Sequence, residues 1–440
     1  MTKQTSRNTI FSGGNFVTES SKGIFLFRNM NQIQKQLLTI VQYQLFGGTV
    51  PKVKSENIRE ILKEAKFQTV FTIVFSFLQN TLKRELPELL LNQQMIFLSG
   101  VMTNTNNFVE HGELHRLMTE HGIEYCVLKG IASAYYYPEP SLRDMGDVDF
   151  LVYEKDIERA KQAVLNAGFL VEHGDTPESI HIAYKRAPMS IWEQHRAING
   201  IPTGESGRRI SEALQNTIET AETCSVDGAV CRIPDVFHHG LIMLLHVVLH
   251  MTKAGIGLRH LCDWAVFVNK TGDAGFQELF EEKLKFYGLW RFAQILTLVS
   301  EKYLGLRHYG WAQNPEITDE LLENLMSDIL SGGNFGNKDN NRYREIKYIS
   351  DYDRQTVDKK SILFQLANTM NRKIRSEYPF IDKHNILLPI GWIAEGGKYF
   401  GLLITGKRKS KGTSAMLNEA AKRKEIYSQM ELFEINSNKR

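Results

Sequence analysis

The stretch LKGIASAYYYPEPSLRDMGDVDFLV, residues 128–152, decides the fold because the hydrophobic period of the chain changes around it. Upstream of it, apolar residues recur at spacings of three and four, which predicts helices. Residues 125–128 instead form a short continuous apolar run after the turn-like pair His121-Gly122, and such runs are typical of buried strands. Residues 130–137 predict a short helix that the following prolines end, and residues 147–152 predict a second strand.

The pattern of strands and helices continues to about residue 200. Asp156 predicts the start of a helix that stops at Gly168, and residues 181–184 and 189–195 are two more strand candidates. On either side, residues 21–120 and 201–345 have helical spacing, while residues 1–20 are polar and predict a loosely ordered N-terminus. Residues 346–440 predict a helical and basic C-terminal segment. The chain therefore predicts an α+β fold, in which a small α/β core with a mixed sheet and flanking helices, residues 121–200, is embedded in a mainly helical chain.

Composition excludes several classes of protein. With 440 residues, 42% hydrophobic residues and a net charge of +3, the chain can form sizeable cores but is too weakly charged to bind nucleic acid over its whole surface. Residues 1–16 lack the apolar run of a secretory signal, and the densest apolar stretch, residues 70–78, has about half of the ~20 residues of a membrane span. Four cysteines without a CxxC pattern favour free thiols, although a Cys224–Cys231 disulfide stays open. We expect a soluble, cytoplasmic protein.

Asp147 and Asp149 are the first candidate site residues, because alternate positions of a strand project to the same face. Two adjacent carboxylates repel each other, so one is pushed toward protonation unless a cation lies between them. Mg²⁺ or Mn²⁺ removes that conflict, since Mg²⁺ prefers one or two carboxylates together with phosphate oxygens and waters. On this basis Asp149→Asn should leave the metal-free protein as stable as before or slightly more stable. A solvated strand end is the alternative for so short a motif.

Residues upstream of the acids predict an anion site. Lys129 and Gly130 end a strand and lead into a helix, where backbone N–H groups can face a phosphate. Ser133 adds a hydroxyl, and Arg143 adds a second positive charge four residues before Asp147. These residues are therefore candidates for nucleotide binding in the cleft that holds the acids.

The whole stretch resembles the nucleotidyltransferase superfamily, which has the DNA polymerase beta-like fold. That superfamily has a strand, a glycine-containing turn, a helix and then an Asp-x-Asp/Glu pair on the next strand. The segments LKG, residues 128–130, and RDMGDVD, residues 143–149, are most similar to the bacterial uncharacterised nucleotidyltransferase family. The resemblance extends from the helices before residue 128 to about residue 335. It departs at Ile131, since the superfamily usually has Ser or Gly after the turn glycine, so Ser133 or backbone amides would have to hold the phosphates.

The resemblance implies a template-independent transfer reaction. A nucleoside monophosphate would pass from an NTP to an acceptor hydroxyl, pyrophosphate would leave, and Asp147 and Asp149 would hold Mg²⁺ or Mn²⁺. It also implies a third acid, because Glu193 and His195 match a Glu/Asp-x-His stretch of the family. Glu193 would bind metal or take the proton of the attacking hydroxyl, and His195 would orient substrate. A plain strand glutamate and a packed histidine are the alternatives.

A later helix carries a further match, since LRHLCD, residues 258–263, resembles the family's Leu-Arg-x-Leu-x-Asp helix. The resemblance makes Arg259 and Asp263 possible contacts of the nucleotide base or the acceptor. Four residues apart on a helix, they can also simply pair with each other. His239, His246 and His250 share a helical face too, but their pattern favours helix packing over a metal site.

The acceptor is open between a small molecule, a protein and RNA. Residues 398–424 contain eight Lys/Arg and one acid, hence a local charge of +7, and could contact RNA phosphates. This feature favours one alternative, a toxin or phage-defence nucleotidyltransferase that modifies tRNA. A catalytically inactive binding protein that keeps the fold is the other alternative, and Ile131 is the feature that favours it. Residues 331–336, SGGNFG, predict a loop that is a candidate lid over the cleft.

Overall fold

The computed structural model describes residues 30–338 except residue 178, residues 413–435, and the isolated positions 371, 374, 388–392 and 394. The fold is α+β, as the sequence predicts, with a mixed sheet and many helices. The predicted loosely ordered N-terminus, residues 1–20, and most of the predicted C-terminal segment, including the basic residues 398–411, lie outside the described residues. The division of the chain into domains stays a prediction.

A five-stranded sheet forms the centre of the α/β core, in the order β1-β2-β5-β4-β3. Strand β2 is antiparallel to β1 and parallel to β5, and β4 is antiparallel to both β5 and β3. Parallel neighbours need a long connection, which here consists of a helix and the antiparallel strands β3 and β4. The bounds of the strands are β1 Tyr125–Val127, β2 Val148–Val152, β3 Leu170–His173, β4 His181–Lys185 and β5 Trp192–His195.

Two regions of strand were not predicted. Strand β3 is an edge strand whose residues are all exposed, so it lacks the apolar alternation that reveals a half-buried strand. The prediction of continuous helix after residue 202 is wrong for a hairpin of two strands, β6 Glu222–Val226 and β7 Ala229–Ile233. Its turn residues Asp227 and Gly228 both have positive φ, which is the preference of an Asp-Gly hairpin turn.

Helices surround the sheet, and those before and after it contribute to one hydrophobic core. A second apolar cluster lies between the sheet, the long helix α4 and the β6–β7 hairpin. The predicted helix after Asp156 is present, although the Asp156 side chain pairs with Arg159 instead of capping the helix. The helices up to residue 214 are α1 Gln32–Phe46, α2 Ile58–Phe67, α3 Phe71–Glu85, α4 Pro87–Glu120, α5 Ile131–Ala134, α6 Ile157–Asn166 and α7 Gly204–Leu214. After the hairpin come α8 Val236–Lys253, α9 Leu258–Thr271, α10 Asp273–Tyr287, α11 Trp290–Leu304, α12 Asp319–Gly332 and the C-terminal helix Thr413–Gln429.

Helices α8 and α9 matter most for function because they face the end of the sheet where β2 begins. A short turn, Asn334–Gly336, packs on the first residues of α9. A Cβ atom at Gly257, just before α9, would lie 2.9 Å from the Cβ of Asn334, so only glycine allows this close approach. Within the described parts of the chain, no helix combines the length and the apolar character that crossing a membrane requires.

Candidate active site

A cleft of about 220 Å³ lies between the start of β2, the turn after β1, and helices α8 and α9. Asp147 and Asp149 line it together with the predicted nucleotide-binding residues Lys129, Gly130 and Ser133. Seven further residues of the lining are relevant to the site: Arg143, His246, Arg259, His260, Asp263, Asn334 and Phe335. The structure therefore brings together eight of the ten residues that the sequence selects, and the other two, Glu193 and His195, lie on the neighbouring strand β5.

Asp149 and Glu193 lie side by side because the parallel strands β2 and β5 pair at these positions. Asp149 is in register with Glu193, and side chains of laterally paired residues project to the same face of a sheet. Asp147 immediately precedes β2, two residues from Asp149. Asp149 is buried, Glu193 is partly buried beside it, and Asp147 is exposed. Charge on Asp147 is coupled to both other acids, as the pKa shifts below describe.

Asp149 has two positively polarised partners. Its Oδ1 atom lies 2.8 Å from Lys129 Nζ and 3.0 Å from His195 Nε2, which in turn lies 3.4 Å from Glu193 Oε2. Burial alone would raise the pKa of Asp149, but Lys129 and His195 outweigh it and hold the pKa of this carboxyl well below its usual range. Burial alone would lower the pKa of His195, yet its hydrogen bonds to Asp149 and Glu193 raise it. Asp149 is thus an anion with its own counter-ions.

Asp147 has the opposite electrostatics. Although Asp147 is exposed as a whole residue, its carboxyl group is partly buried. This partial burial, followed by repulsion from Asp149 and Glu193, raises the pKa of Asp147, and Lys129 and Arg259 offset this only in part. The conflict expected for neighbouring carboxylates therefore falls on Asp147. Asp147, Asp149 and Glu193 offer the hard oxygen atoms that Mg²⁺ or Mn²⁺ prefers. As a set, their carboxylates are not among the groups of the described residues whose ligand atoms already lie within 4.8 Å of one another, so they would have to move closer together to share an ion.

The turn after β1 explains why glycine occupies position 130. Gly130 has φ 63° and ψ −112°, a combination that residues with a side chain avoid. The turn leads into α5, which is only one turn long and therefore shorter than the predicted helix over residues 130–137. Ile131, which departs from the superfamily pattern, is fully buried in the core beneath the sheet. Ser133 is 4% exposed and lines the cleft, so its hydroxyl is the side-chain donor that this turn offers.

Arg143 and Asp263, which the sequence assigns to nucleotide and substrate, pair with each other. Arg143 donates from Nε and Nη2 to the two carboxylate oxygens of Asp263, both at 2.8 Å, and Tyr137 donates its hydroxyl to Oδ1 at 2.7 Å. Both members of the pair are buried. The alternative pairing of Arg259 with Asp263 within the helix is wrong, because Asp263 accepts its hydrogen bonds from Arg143 and Tyr137. The pair ties the loop before Asp147 to α9.

Arg259 carries a positive charge into the cleft without a carboxylate partner among the described residues. Its Nη1 atom donates to the backbone oxygen of Asp144 at 3.0 Å, and its buried Nε has no hydrogen-bond partner in the described part of the chain. Burial, followed by repulsion from Arg143, lowers the pKa of Arg259. An anion in the cleft would give Nε a hydrogen-bond acceptor and would offset the repulsion from Arg143.

Histidines on α8 separate into two places. His239 is buried near Tyr136, with Nδ1 3.2 Å from the tyrosine hydroxyl. His246 and His250 lie together with His260 of α9, which the sequence does not single out because it comes from another helix. Phe335, also not predicted, is 47% exposed and packs its ring near His250 and His260. It belongs to the segment predicted to be a loop, where α12 ends at Gly332 and the turn Asn334–Gly336 follows.

Comparison with known proteins agrees with this geometry. The model of a family described as uncharacterised nucleotidyltransferase matches residues 54–305, more than half of the chain and a range that contains every predicted site residue. No curated protein matches the chain. No solved structure matches it either.

Proposed function

The chain belongs to the uncharacterised nucleotidyltransferase family, and we propose from that membership that it transfers a nucleoside monophosphate from an NTP, ATP included, to an acceptor hydroxyl without a template and releases pyrophosphate. One observation carries this proposal: Asp149 and Glu193 are paired across the parallel strands β2 and β5, with Asp147 beside them at the edge of a cleft that also contains Lys129 and Arg259. A three-acid edge facing two cations suits a polyanionic substrate that is bound together with a divalent ion.

Asp147, Asp149 and Glu193 would hold Mg²⁺ or Mn²⁺ in this proposal. When bound, such an ion neutralises charge on the phosphates and favours ionisation of the acceptor hydroxyl. The exposed Asp147 and the buried Asp149 supply oxygens from the lining of the cleft, and Glu193 supplies them from the side. Glu193 is also a group able to accept the proton that the hydroxyl loses, whereas the raised pKa of the adjacent His195 favours its protonated form.

The positive residues of the cleft would bind the triphosphate. Lys129 is one-third exposed and can turn from Asp149 toward a phosphate, and Arg259 has a guanidinium Nε without a protein partner among the described residues. Ser133 contributes a hydroxyl. Arg143 is a positioning residue in this scheme, because its Nε and Nη2 atoms form a bidentate pair with Asp263. This assignment replaces its predicted contact with the nucleotide.

Labelled nucleotides test the reaction directly. Purified full-length protein is incubated with each NTP, labelled in separate reactions at the α- or the γ-phosphate, with Mg²⁺ or Mn²⁺ and a cell extract. We expect α-label, and no γ-label, to become attached to an acceptor in the wild type. Asp149→Asn should abolish the transfer, while Asp175→Asn, an aspartate that pairs with Lys161 away from the cleft, should retain it. Transfer of γ-label, or full transfer by Asp149→Asn, would contradict the proposal.

Lys129 has its own test. Titration of a non-hydrolysable NTP with Mg²⁺ into wild type and Lys129→Met should show weaker binding in the variant, by about tenfold if one charge-assisted phosphate contact is lost. A lysine that only neutralises Asp149 would leave the NTP affinity unchanged.

The identity of the labelled acceptor decides between the remaining possibilities. Label on tRNA would identify the RNA-modifying alternative, label on protein or on a small molecule would exclude it, and label on nothing would favour an inactive binding protein. Part of the basic C-terminal segment is structural, since Arg423 is buried against Asp328. The free thiols of all four cysteines suit the reducing cytoplasm, which is the location that we propose.

A further inference from the structure

Three histidines form a compact group in the wall of the cleft, apart from the carboxylates. His246 and His250 are one turn apart on α8, with ring centroids 4.2 Å apart, and His260 lies in the first turn of α9, with its ring 5.4 Å and 5.6 Å from theirs. One ring nitrogen from each histidine lies within 4.8 Å of the other two. His246 and His260 are also among the residues that line the cleft.

His260 is unusual because its hydrogen-bonding capacity is unused. It is 3% exposed, and both of its ring nitrogens are buried without a hydrogen-bond partner among the residues that the structure describes. A buried polar atom without a partner has lost its hydration without gaining a hydrogen bond, so native structures rarely contain one without a reason. A ligand that occupies the space between the three imidazoles would supply the missing partner.

The protonation state of the group suits a metal ion. Burial lowers the pKa of His246 and of His260 well below the ordinary value, and it lowers the pKa of His250 to about 4. The imidazoles are therefore neutral near pH 7, which is the form that coordinates metals. The nearby charges of Lys129 and Arg259 add to these shifts and also repel a cation. An ion must then be held by strong bonds to nitrogen, which Zn²⁺ forms and Mg²⁺ does not.

We propose that His246, His250 and His260 bind one Zn²⁺ ion in the wall of the cleft. Three histidine ligands with an open fourth position are typical of accessible zinc sites, and water or an oxygen of a bound substrate would take the fourth position. Tetrahedral Zn²⁺ with bonds of 2.0–2.1 Å separates its ligand nitrogens by about 3.4 Å, so small side-chain rotations close the group around the ion. This site uses nitrogen donors and is chemically distinct from the oxygen site of Asp147, Asp149 and Glu193, and it does not depend on the proposed transfer reaction.

Zinc titration of the full-length protein tests the proposal. The protein is stripped with a chelator and titrated with Zn²⁺ against a chromophoric competitor, and Co²⁺ is used in parallel because a tetrahedral nitrogen site gives it strong visible absorption. We expect the wild type to bind one equivalent in this site. His250→Gln and His260→Gln should each weaken that binding by at least about 100-fold. Loss of a group that only hydrogen-bonds to a metal ligand already costs about 10–100-fold in affinity, and loss of the ligand itself costs more. Two variants are used because substitution of the buried His260 is the more disruptive to folding, whereas His250 is less buried and its variant is expected to fold.

Two histidine controls sharpen the result. His239→Gln changes a buried histidine on the same helix but outside the group, and His181→Gln changes a histidine that lies with Glu193 and His195 on the sheet. Both controls should keep the zinc affinity of the wild type. No zinc binding by the wild type, or equal affinity in His250→Gln and His260→Gln, would overturn the proposal. Loss of the zinc in His181→Gln, with retention in His260→Gln, would assign the ion to the sheet and overturn it as well.

Discussion

Asp147 and Asp149 allow a matched pair of nearly isosteric substitutions with opposite expected effects. Asp149→Asn removes a buried negative charge that faces Lys129 Nζ at 2.8 Å and His195 Nε2 at 3.0 Å. Asp147→Asn removes a charge whose pKa is raised by burial and by repulsion from Asp149 and Glu193. In the metal-free protein at pH 7, the first change should therefore lower the free energy of unfolding and the second should raise it. For Asp149→Asn this reverses the expectation from the sequence, because the structure gives Asp149 its own counter-ions.

The magnitude follows from the contacts of Asp149. A hydrogen bond to a charged group contributes about 1.5–3 kcal/mol, compared with about 1 kcal/mol for a neutral one. Asparagine can still accept from Lys129 and His195, so Asp149→Asn loses the difference twice. Relief of repulsion with Asp147 returns part of it, and we expect a net loss of about 1–2 kcal/mol. Asp147 is exposed and solvent screens its charge, so its substitution should give only a small gain.

Chemical denaturation in the presence of a chelator measures both effects. Intrinsic fluorescence follows the unfolding through five tryptophans, and one of them, Trp192, is fully buried at the start of β5 directly opposite Val148. Added Mg²⁺ should stabilise the wild type by mass action and should stabilise neither variant to the same extent. Equal shifts of the two variants in the metal-free protein, or a gain in stability for Asp149→Asn, would refute the assignment of Lys129 and His195 as counter-ions of Asp149.

Three further outcomes are expected. Glu193→Gln should lower the affinity for Mg²⁺ by about tenfold and so weaken the stabilisation that Mg²⁺ provides. Thermal melts across a series of Mg²⁺ concentrations measure this, and melting curves that respond to Mg²⁺ as the wild type does would exclude Glu193 from the metal site. Arg143→Met and Asp263→Leu should each lower the free energy of unfolding in denaturant by about 3–5 kcal/mol, because each leaves a buried charge unpaired. The double variant should lose less than the sum of the two, and strict additivity would contradict the pairing. Because the pKa of His195 is raised above its ordinary 6.5 by its carboxylate partners, its stabilising effect is fully present below that value and is lost as the pH rises through the raised pKa. The difference in unfolding free energy between wild type and His195→Gln should then shrink as the pH rises above 6.5, and a difference that stays constant would contradict the raised pKa.

The strands that the sequence reveals are those that bury both or one of their faces. Strand β2 is buried along its whole length and reads as an apolar run interrupted by Asp149, so the two-residue period directly places the acids together. Strand β3 is not predicted because it lies exposed at the edge of the sheet, where Leu170 is 73% exposed. Its place in the sheet is determined by its pairing with β4 alone. The β6–β7 hairpin has an Asp-Gly turn between its strands, and this local signal outweighs the helical spacing of the residues around it.

Charge pairing was the less predictable part of the site. Sequence spacing suggests that Arg259 pairs with Asp263 one turn later, but Arg143 reaches the same carboxylate from a loop 120 residues away. Lys129 points to Asp149 for a similar reason, since a buried carboxylate must find a cation and the turn after β1 brings one within 2.8 Å. The group of His246, His250 and His260 depends on the crossing of two helices, and no local pattern contains that information.

The two roles of Lys129 connect the electrostatics of the resting site with the proposed reaction. Its ammonium neutralises the buried Asp149 while no cation is bound, and a contact of the same group with a phosphate would compete with that neutralisation. A divalent ion at Asp147 and Asp149 would take over that neutralisation and release Lys129, so metal and triphosphate would bind with positive coupling. The coupling is reciprocal, because whatever free energy the ion adds to nucleotide binding, the nucleotide must add to ion binding. In such a cleft Asp149 is neutralised by Lys129 while no metal ion is bound, and the charge of Lys129 becomes available to a phosphate once the ion is present.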